Sequence, residues 1–218
     1  MVILLTIAVV AAIGGIVAGV IYLSVRAMSD PDLALEPVDR DDHEHPFAAF
    51  DDYHDWAAEQ GFKWIGAYVL RGVTDIYVGA WRHPTQSLYF CVYMAQGNMF
   101  TDLVTIFDDE HGLTTCSSAD TLTLPQPPGA YRQVFTDLTI DEQYQRHLEA
   151  EVLLTERLRM QPQPISEPFE RVVIDAIHRQ MAYVKSLPGW PIRGVWWYLT
   201  RLRKINRSVE DQLENSPG

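Results

Sequence analysis

The spacing of apolar residues changes character along the chain, and each change marks an element. Residues 1–25 contain no Asp, Glu, Lys, Arg or His and are almost entirely Val, Ile, Leu, Ala and Gly. A helix of ~20 residues rising ~1.5 Å each crosses a hydrocarbon core of ~30 Å, so the run predicts a transmembrane anchor over residues 1–28. It does not read as a cleaved signal, because no Lys or Arg precedes it and its apolar stretch exceeds the usual ~7–15 residues. Arg26 and, further on, Arg40 follow the span while no basic residue comes before it. That asymmetry predicts a single-pass protein of the cell membrane with its N-terminus outside and the bulk of the chain cytoplasmic. Within the span Ala11, Gly15 and Gly19 recur every four residues, a small-residue stripe that predicts a homodimer through the helix.

Residues 29–45 are acidic, carry two prolines and lack an apolar period, which predicts a solvated linker. A soluble domain is expected over 46–187. It opens with a short amphipathic helix, Phe47, Phe50, Tyr53, His54 and Ala57 falling at three- and four-residue steps before Gly61. The period then becomes two. Strands are predicted over 63–71, 75–82, 88–95, 99–107 and 113–116, and connections this short join only antiparallel neighbours. The expected fold is therefore α+β: an antiparallel meander of about five strands flanked by helices. Counting by parity, Trp64, Tyr68, Tyr77, Trp81, Tyr89, Cys91 and Tyr93 are expected on one face, and Ile65, Val69, Ile76, Val78, Phe90 and Val92 on the other. Neither set alternates with charge, so both faces should be covered.

Helical spacing returns after a turn-rich link. Thr139 and Glu142 have the spacing of a capping box ahead of Tyr144, Leu148 and Val152, and a second helix runs from Ser166 through Phe169, Val173, Ile177, Met181 and Val184 to Pro188–Gly189. The C-terminal segment 188–218 differs. Residues 190–207 hold Arg193, Arg201, Arg203, Lys204 and Arg207 and no acid, with Ile192, Val195, Trp196, Leu199 and Leu202 on one helical stripe. A basic amphipathic helix with Trp190, Trp196 and Trp197 at its apolar boundary suits an anionic bilayer surface, and the alternative is packing of the same stripe on the sheet.

Composition narrows the chemistry. The 218 residues carry 17 Lys and Arg against 29 Asp and Glu, a net charge of −12, which argues against a nucleic-acid partner. No phosphate loop, dinucleotide fingerprint, nucleophile elbow or zinc-protease motif is present. The Asp41, Asp42, His43, Glu44 and His45 run has metal-ligating residue types, but an acidic tether supplies no rigid shell, so no metal or other cofactor is expected. Cys91 reads as a small buried hydrophobe rather than a nucleophile, and no catalytic residue is assigned. Asp102, in an otherwise apolar strand, is the acid whose burial demands pairing or neutrality. The sequence thus predicts a non-enzymatic, membrane-anchored interaction or assembly module whose partners are the lipid bilayer and another membrane-associated protein. The alternatives are a small apolar ligand carrier built on the aromatic set Trp64, Tyr68, Tyr77, Trp81, Tyr89 and Tyr93, and an enzyme centred on Asp102 or the histidines.

Overall fold

The computed structural model describes residues 2–42 and 44–214, with side chains from residue 14 onward except at 42 and 44. Helix α1 (Val2–Ala27) leads into a seven-stranded sheet in sequential order: β1 (Leu35–Pro37), β2 (Lys63–Leu70), β3 (Ile76–Arg82), β4 (Leu88–Ala95), β5 (Asn98–Ile106), β6 (Gly112–Cys116) and β7 (Ala130–Val134). The short helices α2 (Glu44–Asp51) and α3 (His54–Glu59) lie between β1 and β2, and α4 (Ile140–Leu158), α5 (Phe169–Ser186), α6 (Trp190–Thr200) and α7 (Val209–Glu214) follow the sheet. The fold is α+β, but the five-stranded antiparallel meander expected from the sequence is corrected to a mixed sheet of seven. Three residues of the acidic linker pair antiparallel with β2, and Ala130–Val134 lies parallel to β6. Neither segment is long or apolar enough to show a period of two. Residues 117–129 supply the long crossover that a parallel pair requires.

Strand pairing also reassigns the faces. Trp64 pairs with Trp81, but Gly66 pairs with Ala80, so Ile65 is a bulge that turns Trp64 to the face opposite Tyr68. Arg82 pairs with Tyr89 and Trp81 with Phe90, so odd positions of β3 share a face with even positions of β4. Trp64, Tyr77 and Trp81 therefore lie on one face, and Tyr68, Tyr89, Cys91 and Tyr93 on the other. Alternation within each strand follows the pattern; the loop and the bulge set the parity between strands.

Both faces are buried. Phe47 and Phe50 of α2, Trp56 of α3 and Tyr144 of α4 cover Trp81, Phe90, Val92 and Leu103. Phe169, Val172 and Ile177 of α5 cover Tyr68, Val78, Tyr89 and Cys91. The C-terminal half of α5 carries a further layer, in which Met181 and Val184 pack with Ile21 and Val25 of α1 and Trp197 of α6.

Among the described residues no helix is long and apolar enough to cross a membrane. This overturns the predicted transmembrane anchor, the single-pass cell-membrane placement and the outside-to-cytoplasmic orientation. The physical reason lies in how α1 spends its apolar surface. From residue 14 it carries Gly14, Gly15, Gly19, Ser24 and Arg26, and its stripe of Val17, Ile21 and Val25 is packed on protein. Tyr22 stacks on Trp190 with ring centroids 5.7 Å apart and planes 7° from parallel. Gly194 permits this approach, since a Cβ there would sit 2.9 Å from Ile21 Cγ2. Of the predicted dimer stripe, Gly15 and Gly19 face open space and Ala11 lies outside the residues whose side chains are described.

Two outcomes test this packing. At Gly79 an added Cβ would meet Phe50 Cγ at 2.7 Å, so Gly79→Ala overpacks the α2–sheet contact and should lower the urea unfolding free energy by about 1–3 kcal/mol. Gly194→Val should lift α1 from α6, seen as faster hydrogen exchange of the amides of residues 21–27 with strand amides unchanged.

Candidate functional site

The aromatic set named from the sequence does not assemble into one surface. Trp81 is 1 % exposed and Tyr89 2 %. Trp81 packs edge-on to Trp64 at 4.6 Å, and Tyr68 and Tyr89 each lie about 5 Å from the Phe169 ring. Tyr93 stacks on Phe100 at 4.9 Å. Trp64, half-turned to solvent at the bulge, and Tyr68 line a surface cleft, a space of about 410 Å³ lined also by Arg40, Phe47 and Glu170. Arg40 is spent there on a two-pronged pair with Asp51, at 2.9 and 2.6 Å, and lies over the Phe47 ring.

The buried polar groups form two systems on opposite faces of the sheet. On the α4 side, Gln143 and His147 are one helical turn apart on the inward stripe. Gln133 Nε2 donates to Thr115 Oγ1 (2.9 Å), which bonds His147 Nδ1 (2.8 Å). His147 Nε2 in turn bonds Thr105 Oγ1 (2.9 Å), which donates to Glu151 Oε2 (2.6 Å). Each hydroxyl accepts one bond and donates one, which assigns the imidazole proton to Nε2 and leaves the ring neutral. Burial, the cause of its depressed pKa of about 3, enforces that state. Gln133 Oε1 also accepts from the Val209 amide, and Gln143 Nε2 donates to the Thr101 and Thr115 carbonyls. Every member of this chain is used to join α4 and α7 to β5–β7.

On the α5 side, Asp102 sits in register between Cys91 of β4 and Cys116 of β6. Burial pushes its carboxyl up to about 6, against the lowering effects of the Cys116 thiol bonded to it and of the nearby Arg132 guanidinium. Its Oδ1 has no hydrogen-bond partner among the described residues. Burial likewise raises both thiols above the ordinary cysteine value, the reverse of what a nucleophile needs. The other described histidines are apart from this cluster. His111 pairs with Asp108 in the β5–β6 turn (2.9 Å), His83 accepts the Gln86 amide, and His178 bonds the Asp30 carbonyl. Among the described residues no group of three His, Cys, Asp or Glu could hold a metal ion; His43 lies outside them, and so do the side chains of Asp42 and Glu44.

The C-terminal segment is the part of the molecule where the structure departs most usefully from the pattern. Gly189, in the left-handed region (φ 66°), turns the chain into α6, with Pro191 in its first turn. The helix faces inward through Gly194 and Trp197 rather than through its apolar stripe. That stripe is left in solvent: Ile192 is 81 % exposed, Trp196 62 %, Leu199 65 % and, in the short 3-10 turn Arg201–Lys204 that follows, Leu202 59 %. Among the described residues twelve large hydrophobic side chains are exposed, and eight of them lie on α1 or on this segment, Ile16, Val20, Tyr22 and Leu23 being the others. These side chains are concentrated on α1 and the segment packed against it rather than scattered singly over the surface.

The basic residues divide by role. Arg193 and Arg203 are exposed, whereas Arg201 is folded inward: its guanidinium carbon lies 3.7 Å from the Tyr198 ring centroid, Nη1 donates to the Tyr198 carbonyl (2.7 Å), and Nε pairs with Asp120 at 3.4 Å. Lys204 is exposed as a residue, with its pKa lowered by partial desolvation. Arg207 lies close enough to Asp211 to lower that carboxyl's pKa, behind a backbone and a side-chain bond from Ser208. Ile205 packs on Cys116, Leu122 and Val134, and the Asn206 amide donates to the Val134 carbonyl (2.8 Å), which fixes the end of the segment to the sheet. Sequence spacing identified the basic apolar helix; the signal for its inward face was Gly194, the one small residue on the side opposite the stripe.

No family model, curated protein or solved structure matches the chain.

The buried acid makes a pH test. Asp102 has a folded pKa above its unfolded value, so the folded state is favoured by protonation, and the stability it retains at low pH is lost as pH rises from about 4 to about 6. His147 acts in the opposite sense, stability being lost as pH falls from 6.5 toward 3. Relative to the parent, Asp102→Asn should therefore gain up to about 3 kcal/mol between pH 4 and pH 7, measured as the difference in urea unfolding free energies at the two pH values. A difference constant with pH would show that Asp102 ionises normally.

Proposed function

We propose that this protein is a docking module that adsorbs to a lipid bilayer surface, lying on the interface rather than crossing it, with the outer face of α6 as its contact. One observation carries the reading: the apolar stripe of α6 is turned away from the protein while a different side of the helix does the packing. Ile192, Trp196 and Leu199 follow one another at four- and three-residue steps, so they point the same way along the helix, and Trp196 brings an indole with a polar edge suited to the headgroup boundary. Exposed apolar area on this scale is retained against the hydrophobic effect, and an acyl-chain interface removes it from water. The polar chain on the α4 side fits the same division of labour, because its donors and acceptors are engaged in joining α4 and α7 to the sheet.

The test is liposome flotation with the full-length chain. The triple variant Ile192→Ser, Trp196→Ser, Leu199→Ser should lose at least tenfold in vesicle affinity, as expected when ~1.5–3 kcal/mol per inserted side chain is removed. Its thermal midpoint should match the parent's, since the three side chains support nothing inside the fold. Equal flotation of parent and variant, or no flotation of the parent, overturns the reading.

A further inference from the structure

Resting on the docking reading, we infer that the α6 surface selects anionic headgroups, and that Arg193 and Arg203 read the charge while Arg201 belongs to the fold. The observation is the division among neighbouring arginines. Arg193, next to Ile192, and Arg203, next to Leu202, are exposed, and Arg193 lies over the Trp197 ring, 5.5 Å from its centroid, with no ion pair or side-chain hydrogen bond among the described residues. Arg201 sits between them in sequence, but its side chain is only 15 % exposed and is held by Tyr198 and by Asp120. No acidic residue occurs between Trp190 and Arg207, so nothing in the segment itself neutralises the two outward guanidinium groups.

The chain as a whole carries the opposite sign, a net charge of −12, although this segment is basic. An acidic body bearing one cationic apolar face is repelled from an anionic surface in every other orientation, so the charge asymmetry orients the molecule as well as attracting it. A second copy of this chain fits the face poorly. An isologous dimer across α6 would bring the exposed arginines of both copies to one interface while the apolar stripe was buried, which costs like-charge repulsion in a drying interface. An anionic bilayer supplies both halves of what the face presents, acyl chains for the stripe and phosphate or carboxylate oxygens for the guanidinium groups, which bind such oxygens bidentately.

The experiment compares full-length parent, Arg193→Glu/Arg203→Glu, Arg193→Gln/Arg203→Gln and Arg201→Gln on phosphatidylcholine vesicles with and without 30 % phosphatidylserine, at low and high salt. The parent should bind the phosphatidylserine vesicles at least tenfold more tightly than the neutral ones, at ~1 kcal/mol per basic residue near the surface, with the preference lost at high salt. The Arg193→Glu/Arg203→Glu variant should lose the preference and keep its neutral-vesicle affinity, with a thermal midpoint lowered only by loss of the Arg193–Trp197 contact. Arg193→Gln/Arg203→Gln, without charge reversal at that ring, should lose the preference as well. Arg201→Gln should lower the thermal midpoint and keep the anionic preference. A parent that floats equally well on both vesicles overturns the inference and leaves the docking reading standing. A parent that floats on neither overturns both. A preference that survives in the double charge reversal shows that other cations read the headgroup, and overturns the assignment of Arg193 and Arg203.

Discussion

A sheet that is apolar on both faces cannot stand with one side in water, and that constraint organises the rest of this molecule. Trp81, Phe90 and Leu103 look one way and Tyr68, Val78 and Tyr89 the other, so two covers are required. The helices α2, α3 and α4 provide one and α5 the other. The second cover is a single helix, and its C-terminal half extends past the strands with Met181 and Val184 still to bury. Helices α1 and α6 meet that need, Gly194 letting the Ile21 side chain approach the α6 backbone. The N-terminal apolar segment is thus drawn into the protein by the unfinished surface of α5.

The polar interior shows the complementary rule, that buried donors and acceptors must be satisfied within the fold. The Gln133–Thr115–His147–Thr105–Glu151 chain does this with a consistent direction from amide to carboxylate, and it locks α4 over β5 and β6 in one register. The buried indole of Trp81, whose Nε1 has no partner among the described residues, departs from the rule, and so does Asp102. Its neighbours in register are two thiols, which are weak donors, and one of its oxygens stays unpaired. A chain of Thr, Gln and His can be completed across strands at ordinary side-chain lengths; a short carboxylate in the middle of a sheet reaches only its cross-strand partners, and here those partners are cysteines.

The exposed stripe of α6 follows from the same geometry. A helix of eleven residues that is apolar on most sides can turn only one of them inward. Trp197 and Gly194 are the better fit to α1 and α5, one filling the gap and the other admitting a neighbouring side chain, so Ile192, Trp196 and Leu199 remain outside. The cationic residues divide accordingly: Arg201, at the start of the 3-10 turn, finds Tyr198 and Asp120, while Arg193, over the Trp197 ring, and Arg203 stay exposed.

Several features were legible in the residues alone. The period-two stretch located β2 to β6 to within a residue at each end, because alternation of side chains is a property of the strand itself. Thr139 and Glu142 marked the start of α4, and both capping bonds are present, because a capping box is a contact between residues three apart. The acid-free, tryptophan-bearing C-terminal segment was visible as composition. The remainder depended on contacts between distant residues. A bulge at Ile65 and the length of the β3–β4 loop decided which aromatic rings share a face. β1 and β7 were too short and too polar to announce themselves, and exist because a neighbouring strand offers them a ladder. The N-terminal run had the hydrophobicity of a span, but hydrophobicity is a scalar and does not name the medium that receives it; the apolar end of α5 and the missing side chain at Gly194 assigned part of that surface to protein. Local order was written in the chain because its causes act over a few residues, whereas face, partner and exposure were settled only when elements far apart in sequence competed for the same buried surface.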